Sequence, residues 1–406
     1  MPLNSDIGRR DLLQRTIIGT AAIVTGPRSG RAQTTKKVAV FLPGIMGSTL
    51  RIRKGGLTTQ VWSDSPCEIS QVLIDNPPLL DLPPVATDTA VIKQASLRGH
   101  PIPDLSSLGL PQTKFYASIL DLLGNQHAEF KKPGSLLAFS YDWRQDCYAI
   151  LSELQEALAS RFSVSYHDGQ ALPGSGCSFY VIGHSMGGLL AFLAIARGLI
   201  HKDDLANLIL LAPPLQGAAL SFRQLCEGAP IPFTDWELRV CLHWIKNRFE
   251  ALRNLRIELR KMISLYQLMP PLTERYIKPG NQPINPLSGE DTVVTPAVKA
   301  ITNKLHDEIA TAARSINLPE RLHIFCGDGI ETDNFYNVGL VMENGVSFYR
   351  TLGSPGTNSD GDGTVLVNSA TYGGVLNSKA QVYHYPVKHD SICEDSRVLK
   401  KLGTLL

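Results

Sequence analysis

Residues 179–188 read Phe-Tyr-Val-Ile-Gly-His-Ser-Met-Gly-Gly, and this stretch decides the fold of the chain. Its first four residues are apolar, β-branched or aromatic, which predicts a buried strand, and the apolar run at 189–193 predicts a following helix. A serine in a tight turn between such a strand and helix adopts a strained backbone, and residues two positions away lie against it. Gly183 and Gly187 avoid a Cβ clash there, so the pattern predicts a nucleophile elbow that exposes the hydroxyl of Ser185.

Other short apolar runs bounded by turn residues predict further strands of the same sheet. They span residues 38–42, 136–140, 208–211, 322–325 and 381–385. Helical patterns separate some of these runs, notably at 148–162 and 189–200. Alternating β and α segments predict an α/β fold with a mostly parallel sheet and helices on both faces.

Two insertions interrupt the predicted sheet. The segment 216–320 is longer than an ordinary connection between neighbouring strands, and we interpret it as a largely helical cap with one helical stretch at 301–316. A lid-like loop at about 58–113 is rich in proline and is predicted to be mostly loop. The core is therefore expected in two parts, 36–215 and 321–406.

Within the cap, the segment 238–266 has the pattern of an amphipathic helix or helix pair. Apolar residues recur at three- and four-residue spacing, at Leu238, Leu242, Ile245, Phe249, Leu252, Leu259, Met262 and Tyr266. Basic residues occupy the opposite face, at Arg239, Lys246, Arg248, Arg253, Arg256, Arg260 and Lys261. A solvated face explains this charge, and peripheral contact with an anionic lipid surface is the alternative.

Charge and cysteine usage exclude several classes of function. The 406 residues include 39 basic and 37 acidic side chains without a long basic block in the mature region, so nucleic acid is not an expected partner. The seven cysteines form neither a C-x-x-C pair nor a Cys/His cluster with zinc spacing, so we expect no metal site and no redox motif. Cys177 and Cys326 are predicted to be buried thiols. The sequence does not decide whether Cys226 and Cys241 form a disulfide.

Residues 1–35 resemble a twin-arginine export signal. Arg9-Arg10 precedes Leu12-Leu13 and a mildly apolar stretch at 17–24. That stretch is far shorter than the ~20 residues that span a bilayer, so a stable membrane anchor is not expected. We predict a periplasmic or secreted protein, and a basic tail on a cytoplasmic enzyme is the alternative.

A serine nucleophile needs an orienting acid and a base, which follow an elbow of this kind in the chain order Ser, Asp or Glu, His. The turn at 358–365, Asn-Ser-Asp-Gly-Asp-Gly-Thr-Val, offers two carboxylates after Ser185. Asp362 is the preferred acid because the residues after it continue directly into ordered structure. Asp360 remains an alternative, and Asp328, at the end of another predicted strand, is a weaker one.

The general base is expected in the loop after the last predicted strand. His389 lies there and would reach Ser185. The other histidines near these segments have simpler explanations. His384 alternates within the strand, His184 is predicted to point into the fold, and His323 is predicted to be a hydrogen-bonded core residue.

The oxyanion hole needs two backbone N–H groups that converge on the developing negative charge. One normally belongs to the residue after the nucleophile, which is Met186. The other is expected from the loop after an early strand, and residues 42–48, Leu-Pro-Gly-Ile-Met-Gly-Ser, are suitably placed. We predict that Ile45 supplies this N–H, and a plain Pro-Gly turn is the alternative.

Together these segments resemble the lecithin:cholesterol acyltransferase-like family of α/β-hydrolases. The matching segments are 41–48, 141–144 (Tyr-Asp-Trp-Arg), 183–187, 211–217, and 361–365 with His389. The resemblance runs from about residue 37 to the C-terminus, with gaps in the cap. The elbow is shared by many lipases, whereas Tyr-Asp-Trp-Arg and Gly-Asp-Gly-Thr-Val are much more specific in combination. The resemblance implies an α/β-hydrolase fold.

The resemblance also implies roles for individual residues. Ser185, Asp362 and His389 would form the catalytic triad. Ile45 and Met186 would donate the hydrogen bonds of the oxyanion hole.

Two further segments gain an interpretation from the resemblance. Trp62 resembles the family's lid-loop tryptophan, which lies close to bound acyl chains and so would bind substrate. A local disulfide closes that loop in the vertebrate members, whereas only Cys67 is present here. Asp142 and Arg144 are expected to form a structural ion pair.

The predicted reaction is acyl transfer on lipid esters through an acyl-serine intermediate, without a metal or organic cofactor. The resemblance covers both O-acyltransferases and phospholipase- or lipase-type hydrolases, so the acceptor, water or an alcohol, stays open. An esterase or thioesterase acting on non-lipid esters is one alternative. A non-catalytic α/β-hydrolase-fold binding protein is another.

Overall fold

A computed structural model describes residues 35–54, 57–63, 72, 90–91, 115–227, 257–280, 282–289, 291, 293–343 and 346–406. The predicted export signal therefore lies outside the described residues, apart from Thr35. Most of the lid-like loop and of the basic amphipathic segment, including Cys67 and Cys241, lies outside them as well. None of the described helices is long and apolar enough to cross a membrane.

The described residues form fifteen strands. In chain order they are β1 Lys36–Leu42, β2 Ser48–Lys54, β3 Leu57–Trp62, β4 Ala90–Val91, β5 Leu136–Ala138, β6 Tyr166–His167, β7 Gln170–Ala171, β8 Cys177–His184, β9 Leu205–Leu211, β10 Ile277–Pro279, β11 Leu322–Gly327, β12 Thr332–Glu343, β13 Val346–Thr351, β14 Gly356–Asn358 and β15 Gln381–Tyr385.

The same parts of the chain form eight α-helices. They are α1 Ala117–Asp121, α2 Cys147–Phe162, α3 Met186–Ala196, α4 Ala219–Glu227, α5 Ile263–Gln267, α6 Pro296–Ser315, α7 Val367–Ala370 and α8 Ser396–Gly403. A π-helical turn at Leu122–Gln126 and short 3-10 turns at Val375–Ser378 and His389–Ser391 complete the helical structure of these residues.

The main sheet has six strands in the order β15-β11-β9-β8-β1-β5, and every neighbouring pair is parallel. All six strands predicted from apolar runs are present in it. Parallel strands buried on both faces are expected to be almost continuously apolar, and residues 179–184 of β8 are indeed all buried. This confirms the predicted fold class: the chain has an α/β-hydrolase fold with a mostly parallel sheet.

Helix α3 packs directly on the middle of this sheet because small residues let the backbones approach. Its residues 186–194 are all buried, as expected for a helix that is apolar on every side. A Cβ added at Gly187 would lie 2.2 Å from the carbonyl oxygen of Leu42 in β1. A Cβ added at Gly183 would lie 2.3 Å from the carbonyl oxygen of Gly187. The glycines of the elbow are therefore needed for close approach.

The described part of segment 216–320 contains the helices α4, α5 and α6, and it also contributes a strand. Strand β10 pairs in parallel with β12, which forms an antiparallel hairpin with β13 and also pairs with β14. Residues Tyr336 and Val338 of β12 are buried, which explains why the hairpin is held against the cap. The predicted boundary at residue 320 thus cuts through a small second sheet.

The start of the lid-like loop is also more ordered than expected. Residues 58–62, which the sequence predicted as loop, belong to strand β3, and β3 pairs with β2 in an antiparallel hairpin. Strand β4 pairs with the other edge of β2. This hairpin follows the loop at 43–47 and packs its last residue, Trp62, into the core.

Candidate active site

The site lies where strands of the main sheet end. The carboxyl ends of parallel strands meet at one edge of a sheet, and polar residues in the loops there converge. Ser185 follows β8 directly, the loop at 43–47 follows β1, and His389 follows β15. Asp362 lies in a turn that bridges to Ile330, just beyond β11.

Ser185 occupies the strained turn that the elbow pattern predicts. Its φ is 53° and its ψ is −125°, a conformation that costs a non-glycine residue about 1–3 kcal/mol. The surrounding structure holds this geometry, and the Ser185 N–H donates a 2.9 Å hydrogen bond to the carbonyl of Leu211 in β9. The serine is thereby held at the N-terminus of α3, where the helix dipole favours negative charge.

Three side chains form a continuous hydrogen-bonded line. Nε2 of His389 lies 2.8 Å from Oγ of Ser185, and Nδ1 of His389 lies 2.8 Å from Oδ2 of Asp362. A carboxylate can only accept, so the proton of the imidazole is on Nδ1, and Nε2 is left as an acceptor for the serine hydroxyl. This is the geometry that activates a serine as a nucleophile.

The Asp362 carboxylate is fixed from its other side by the backbone. Its Oδ1 accepts hydrogen bonds from the N–H groups of Thr364 at 2.9 Å and Val365 at 2.7 Å. Gly363, between Asp362 and Thr364, has a φ of 92°, which a residue with a side chain rarely adopts. The Gly-Asp-Gly-Thr-Val pattern is thus explained by a turn that wraps around one buried carboxylate.

The pKa of His389 results from two opposing effects. Burial disfavours the charged imidazolium, while the negative charge of Asp362 and the hydrogen bond to it favour that form. The attraction prevails, so the pKa of His389 is raised above its usual value. A base of raised pKa in this position takes up a proton from Ser185 more readily.

The alternative acids do not contact His389. The structure places Asp328 in an exposed pair with His384, with Oδ2 3.1 Å from Nδ1. Asp360 is exposed in the turn before Asp362. The structure therefore brings Asp362, and neither alternative, to the base.

The loop at 43–47 faces Ser185 across a close contact. A Cβ added at Gly44 would lie 3.1 Å from Cβ of Ser185, so the two backbones nearly touch. Ile45 borders the cavity described below, and Met186 is the buried first residue of α3. Among the described residues, none accepts a hydrogen bond from the N–H of Ile45 or of Met186, which leaves both available to a ligand.

The Tyr-Asp-Trp-Arg segment supports this loop. The Tyr141 hydroxyl donates to the carbonyl of Pro43 at 2.6 Å, and Nε1 of Trp143 donates to the carbonyl of Ser48 at 3.0 Å. Arg144 and Asp142 form the expected ion pair, which is buried and bidentate. The segment thus links β5 to both ends of the loop after β1.

Trp62 requires a correction to its predicted role. The sequence placed it against bound acyl chains, but its side chain is 0 % exposed and is absent from the cavity wall. Its Nε1 donates to the carbonyl of Met46 at 3.0 Å, and its ring packs edge-on against Trp143 with centroids 4.8 Å apart. Trp62 lies behind the loop and supports it, because its indole N–H finds a buried acceptor there.

A cavity of about 550 Å³ opens onto Ser185, a size typical of small-molecule sites. Its wall is mainly apolar and includes Ile45, Met46, Phe115, Leu220, Leu268, Ile330 and Val365. Charged side chains also border it, at Glu331, Lys388 and Asp390. An acyl chain could therefore lie on the apolar wall with its ester at the serine.

Sequence reasoning missed Tyr116, which borders the cavity beside the loop at 43–47. Its hydroxyl accepts from the N–H of Gly44 at 2.9 Å and lies 2.9 Å from Nδ1 of His184. Tyr116 precedes a helix of only five residues, α1, and no motif marks it. Within the described residues, no group of three or more His, Cys, Asp or Glu is positioned to hold a metal ion.

One family model matches part of the chain. The family model described as a PGAP1-like alpha/beta domain matches residues 125–227, which contain α2, β8, α3 and β9. No curated protein matches the chain in sequence.

Three solved structures illustrate the likeness. The Tle4–Tli4 complex is 11% identical over 91% of this chain and 98% of that one, with a TM-score of 0.49. The phospholipase PlaB from Legionella pneumophila is 10% identical over 91% and 63%, with a TM-score of 0.28. The N-formylmaleamic acid deformylase Nfo from Pseudomonas putida S16 is 12% identical over 66% and 75%, with a TM-score of 0.26. Likenesses this distant do not indicate a substrate.

Proposed function

We propose that this protein is a serine acyl hydrolase or O-acyltransferase that acts on lipid esters. The observation that carries the proposal is the pair of 2.8 Å distances that link Ser185 to His389 and His389 to Asp362. In this proposal Ser185 is the nucleophile, His389 the general base and acid, and Asp362 the residue that orients the imidazole.

The first half-reaction acylates the enzyme. His389 takes the hydroxyl proton of Ser185 at Nε2 while Oγ attacks the ester carbonyl. The charge of Asp362 stabilises the imidazolium that forms. The tetrahedral intermediate then collapses, the alcohol leaves with the proton from His389, and an acyl-serine remains.

The negative charge of the tetrahedral intermediate would rest on two backbone N–H groups. Ile45 and Met186 are proposed for this role because the described residues offer their N–H groups no other acceptor. Met46 supports this arrangement, since its φ of 61° is strained for a non-glycine residue and turns the backbone within the loop.

The second half-reaction decides between hydrolysis and transfer. Water or another alcohol attacks the acyl-serine with His389 again as base. The mainly apolar cavity wall and the resemblance to lecithin:cholesterol acyltransferase-like proteins support a lipid acyl group. Lipid-ester hydrolysis is the proposed main reaction, with transfer to an alcohol as a second outcome.

A fluorophosphonate probe tests the nucleophile directly. We expect covalent labelling of the full chain at Ser185, no labelling of Ser185→Ala, and unchanged labelling of the exposed control Ser391→Ala. A wild-type protein that stays unlabelled would instead indicate a non-catalytic binding protein.

A substrate panel tests the acyl group and the acceptor. We expect turnover of p-nitrophenyl esters to rise with acyl length from acetate to octanoate, and a phospholipid to release free acid. A rate that does not change with chain length would favour an esterase or thioesterase of non-lipid esters. Adding a sterol or a long-chain alcohol and measuring new ester against free acid distinguishes transfer from hydrolysis.

We also propose export for the full-length protein. The twin-arginine pattern at residues 9–13 and the weak apolar stretch at 17–24 support it. Fusion of residues 1–35 to a folded reporter is expected to direct it out of a bacterial cytoplasm. Replacement of Arg9 and Arg10 by lysine is expected to abolish this, and retention of the unaltered fusion in the cytoplasm would contradict the proposal.

A further inference from the structure

A second histidine lies behind the proposed base, and the proposed mechanism does not use it. His184 is the last residue of β8 and is buried, and its ring centroid lies 5.0 Å from that of His389. Its two nitrogens each have a partner. Nδ1 lies 2.9 Å from the hydroxyl of Tyr116, and Nε2 lies 3.0 Å from the backbone carbonyl oxygen of His389.

The chemistry of the partners fixes the direction of every hydrogen bond. A backbone carbonyl only accepts, so Nε2 of His184 must carry a hydrogen and donate it to His389. A backbone N–H only donates, so the Tyr116 hydroxyl accepts from Gly44 and has its own hydrogen left for Nδ1 of His184. The hydrogen bonds therefore form one chain in which each group donates to the next: Gly44 to Tyr116, Tyr116 to His184, and His184 to the carbonyl of His389.

This assignment requires a neutral His184, and its surroundings enforce one. Burial disfavours its charged form, and a positive charge on the adjacent His389 disfavours it further, so the pKa of His184 is lowered to about 3. When His389 becomes an imidazolium, His184 stays uncharged and keeps its donor on the His389 carbonyl. The hydrogen bonds that link Gly44, Tyr116, His184 and His389 can thus persist through a reaction cycle.

The chain segment that carries Tyr116 is tied to the segment that carries the base. The Ser118 N–H donates to Oε1 of Glu394 at 2.9 Å, and the Ser118 hydroxyl donates to Oε2 of the same carboxylate. Glu394 follows His389 by five residues. The Tyr116 hydroxyl is therefore placed by contacts on both sides.

We propose that Tyr116 and His184 are positioning residues that hold the oxyanion loop in register with the catalytic base. Gly44, at one end of the connection, directly precedes the proposed oxyanion donor Ile45. The backbone of His389 is at the other end. This inference rests on the proposed function, since it assigns a role to residues that support the same active site.

Loss of the connection should lower the rate of the chemical step more than substrate affinity. A misplacement of about 1 Å in a catalytic group can cost roughly 100-fold in rate. For Tyr116→Phe we expect kcat with p-nitrophenyl octanoate to fall about 10- to 100-fold, with KM within about 3-fold of wild type. His184→Ala should fall at least as far, and His184→Gln should recover part of kcat because its amide can still donate to the His389 carbonyl.

The chain offers a matched control at the other end of the sheet. His323, near the start of β11, is buried. Its Nδ1 lies 3.3 Å from the hydroxyl oxygen of Tyr383 in β15. Tyr383→Phe and His323→Gln remove the same groups from a second tyrosine–histidine pair. We expect both to change thermal unfolding without changing kcat by more than about 2-fold.

A double variant tests whether the two residues act together. If one connection carries the effect, Tyr116→Phe combined with His184→Gln should lose no more than the worse single variant. Multiplied losses would overturn the proposal, and so would a kcat for Tyr116→Phe that matches the controls. If some His184 variants do not fold, Tyr116→Phe and its control still decide the outcome.

Failure of the proposed function has a different signature. A wild-type protein that neither labels with fluorophosphonate nor hydrolyses the ester would overturn both proposals. A labelled and active wild type with an unaffected Tyr116→Phe would overturn only the positioning role.

Discussion

Asp142 and Asp362 are both buried carboxylates that hold a nitrogen base, and they lie at the carboxyl ends of different strands. Asp142 binds Arg144 through two bonds, 2.8 Å from Nε and 2.9 Å from Nη2. Asp362 binds His389 through a single side-chain bond of 2.8 Å and accepts two backbone N–H groups with its other oxygen.

The two pairs differ in whether the basic side chain has a second nitrogen that can exchange a proton. Arg144 cannot lose a proton under ordinary conditions, so its pair with Asp142 is permanently closed and can only fix a turn. His389 has a second nitrogen, which lies 2.8 Å from Ser185 and can exchange a proton with it. Equal burial of a carboxylate thus produces a structural element in one case and a candidate catalytic one in the other.

Removing the charge of Asp362 should have the largest effect on activity. For Asp362→Asn we expect kcat to fall about 10⁴-fold, because the amide favours the wrong imidazole tautomer and no longer stabilises the imidazolium. Stopped assays with p-nitrophenyl octanoate measure this. Asp360→Asn is the matched control, two residues away and exposed, and should stay within about 2-fold of wild type. Equal losses in the two variants would contradict the assignment of Asp362.

Removing Arg144 should instead lower the stability of the folded protein. For Arg144→Met we expect the free energy of unfolding to fall by about 3–5 kcal/mol, because Asp142 is left as a buried charge without its partner. Urea unfolding measures this. The double variant Asp142→Leu with Arg144→Met should regain much of the loss, since replacing both members of a buried pair by apolar residues is often nearly neutral. If Arg144→Met proved as stable as wild type, the pair would have no structural role.

These two pairs also show how far the sequence alone could lead. The six main strands were predictable because apolar runs of a buried parallel sheet are almost uninterrupted, and the elbow because its glycines are required for close packing. The ion pair of Asp142 and Arg144 was predicted from the resemblance, and its geometry agrees. Local pattern and motif were sufficient for these features.

The sequence favoured Asp362 as the acid but left Asp360 as an alternative. Both occupy one glycine-rich turn, and which carboxylate faces His389 depends on bridges of this turn to Ile330 and to Leu366. Those bridges join segments that are distant or irregular in sequence. They leave no periodicity to detect.

The sequence analysis missed the role of Tyr116 and assigned the wrong role to Trp62, for related reasons. The role of Tyr116 comes from a contact with His184, 68 residues away, and its own segment has no motif. Trp62 was assigned to the acyl chains through a resemblance of sequence, which does not report the direction of a side chain. The structure turns it towards the carbonyl of Met46 instead.

Trp62, like Arg144, has a structural role, and its replacement should have a smaller effect on stability. For Trp62→Phe we expect the free energy of unfolding to fall by about 1–3 kcal/mol, since the carbonyl of Met46 loses a buried donor and the core loses ring area. The ratio of activity on octanoate to activity on acetate should stay within about 2-fold of wild type. A selective loss on octanoate would restore Trp62 to the acyl site.

The smallest expected effect concerns the protonation of His389. Its pKa in the folded protein is raised mainly through Asp362, acting against burial, so the folded state binds a proton more tightly than the unfolded chain. The resulting stability is fully present below the unfolded pKa of about 6.5 and is lost as pH rises through the folded pKa. The base form needed for activity increases over that same interval.

NMR titration of the His389 ring in Ser185→Ala measures this pKa without turnover. Adding Asp362→Asn should move the pKa downwards, because burial is then opposed only by the weaker attraction of Asp390, and should flatten the pH dependence of stability above pH 6.5. Adding Asp360→Asn should leave the titration almost unchanged. An unchanged pKa in the Asp362 variant would mean that the 2.8 Å contact does not tune the base, and Asp362 would then differ from Asp142 only in its partner.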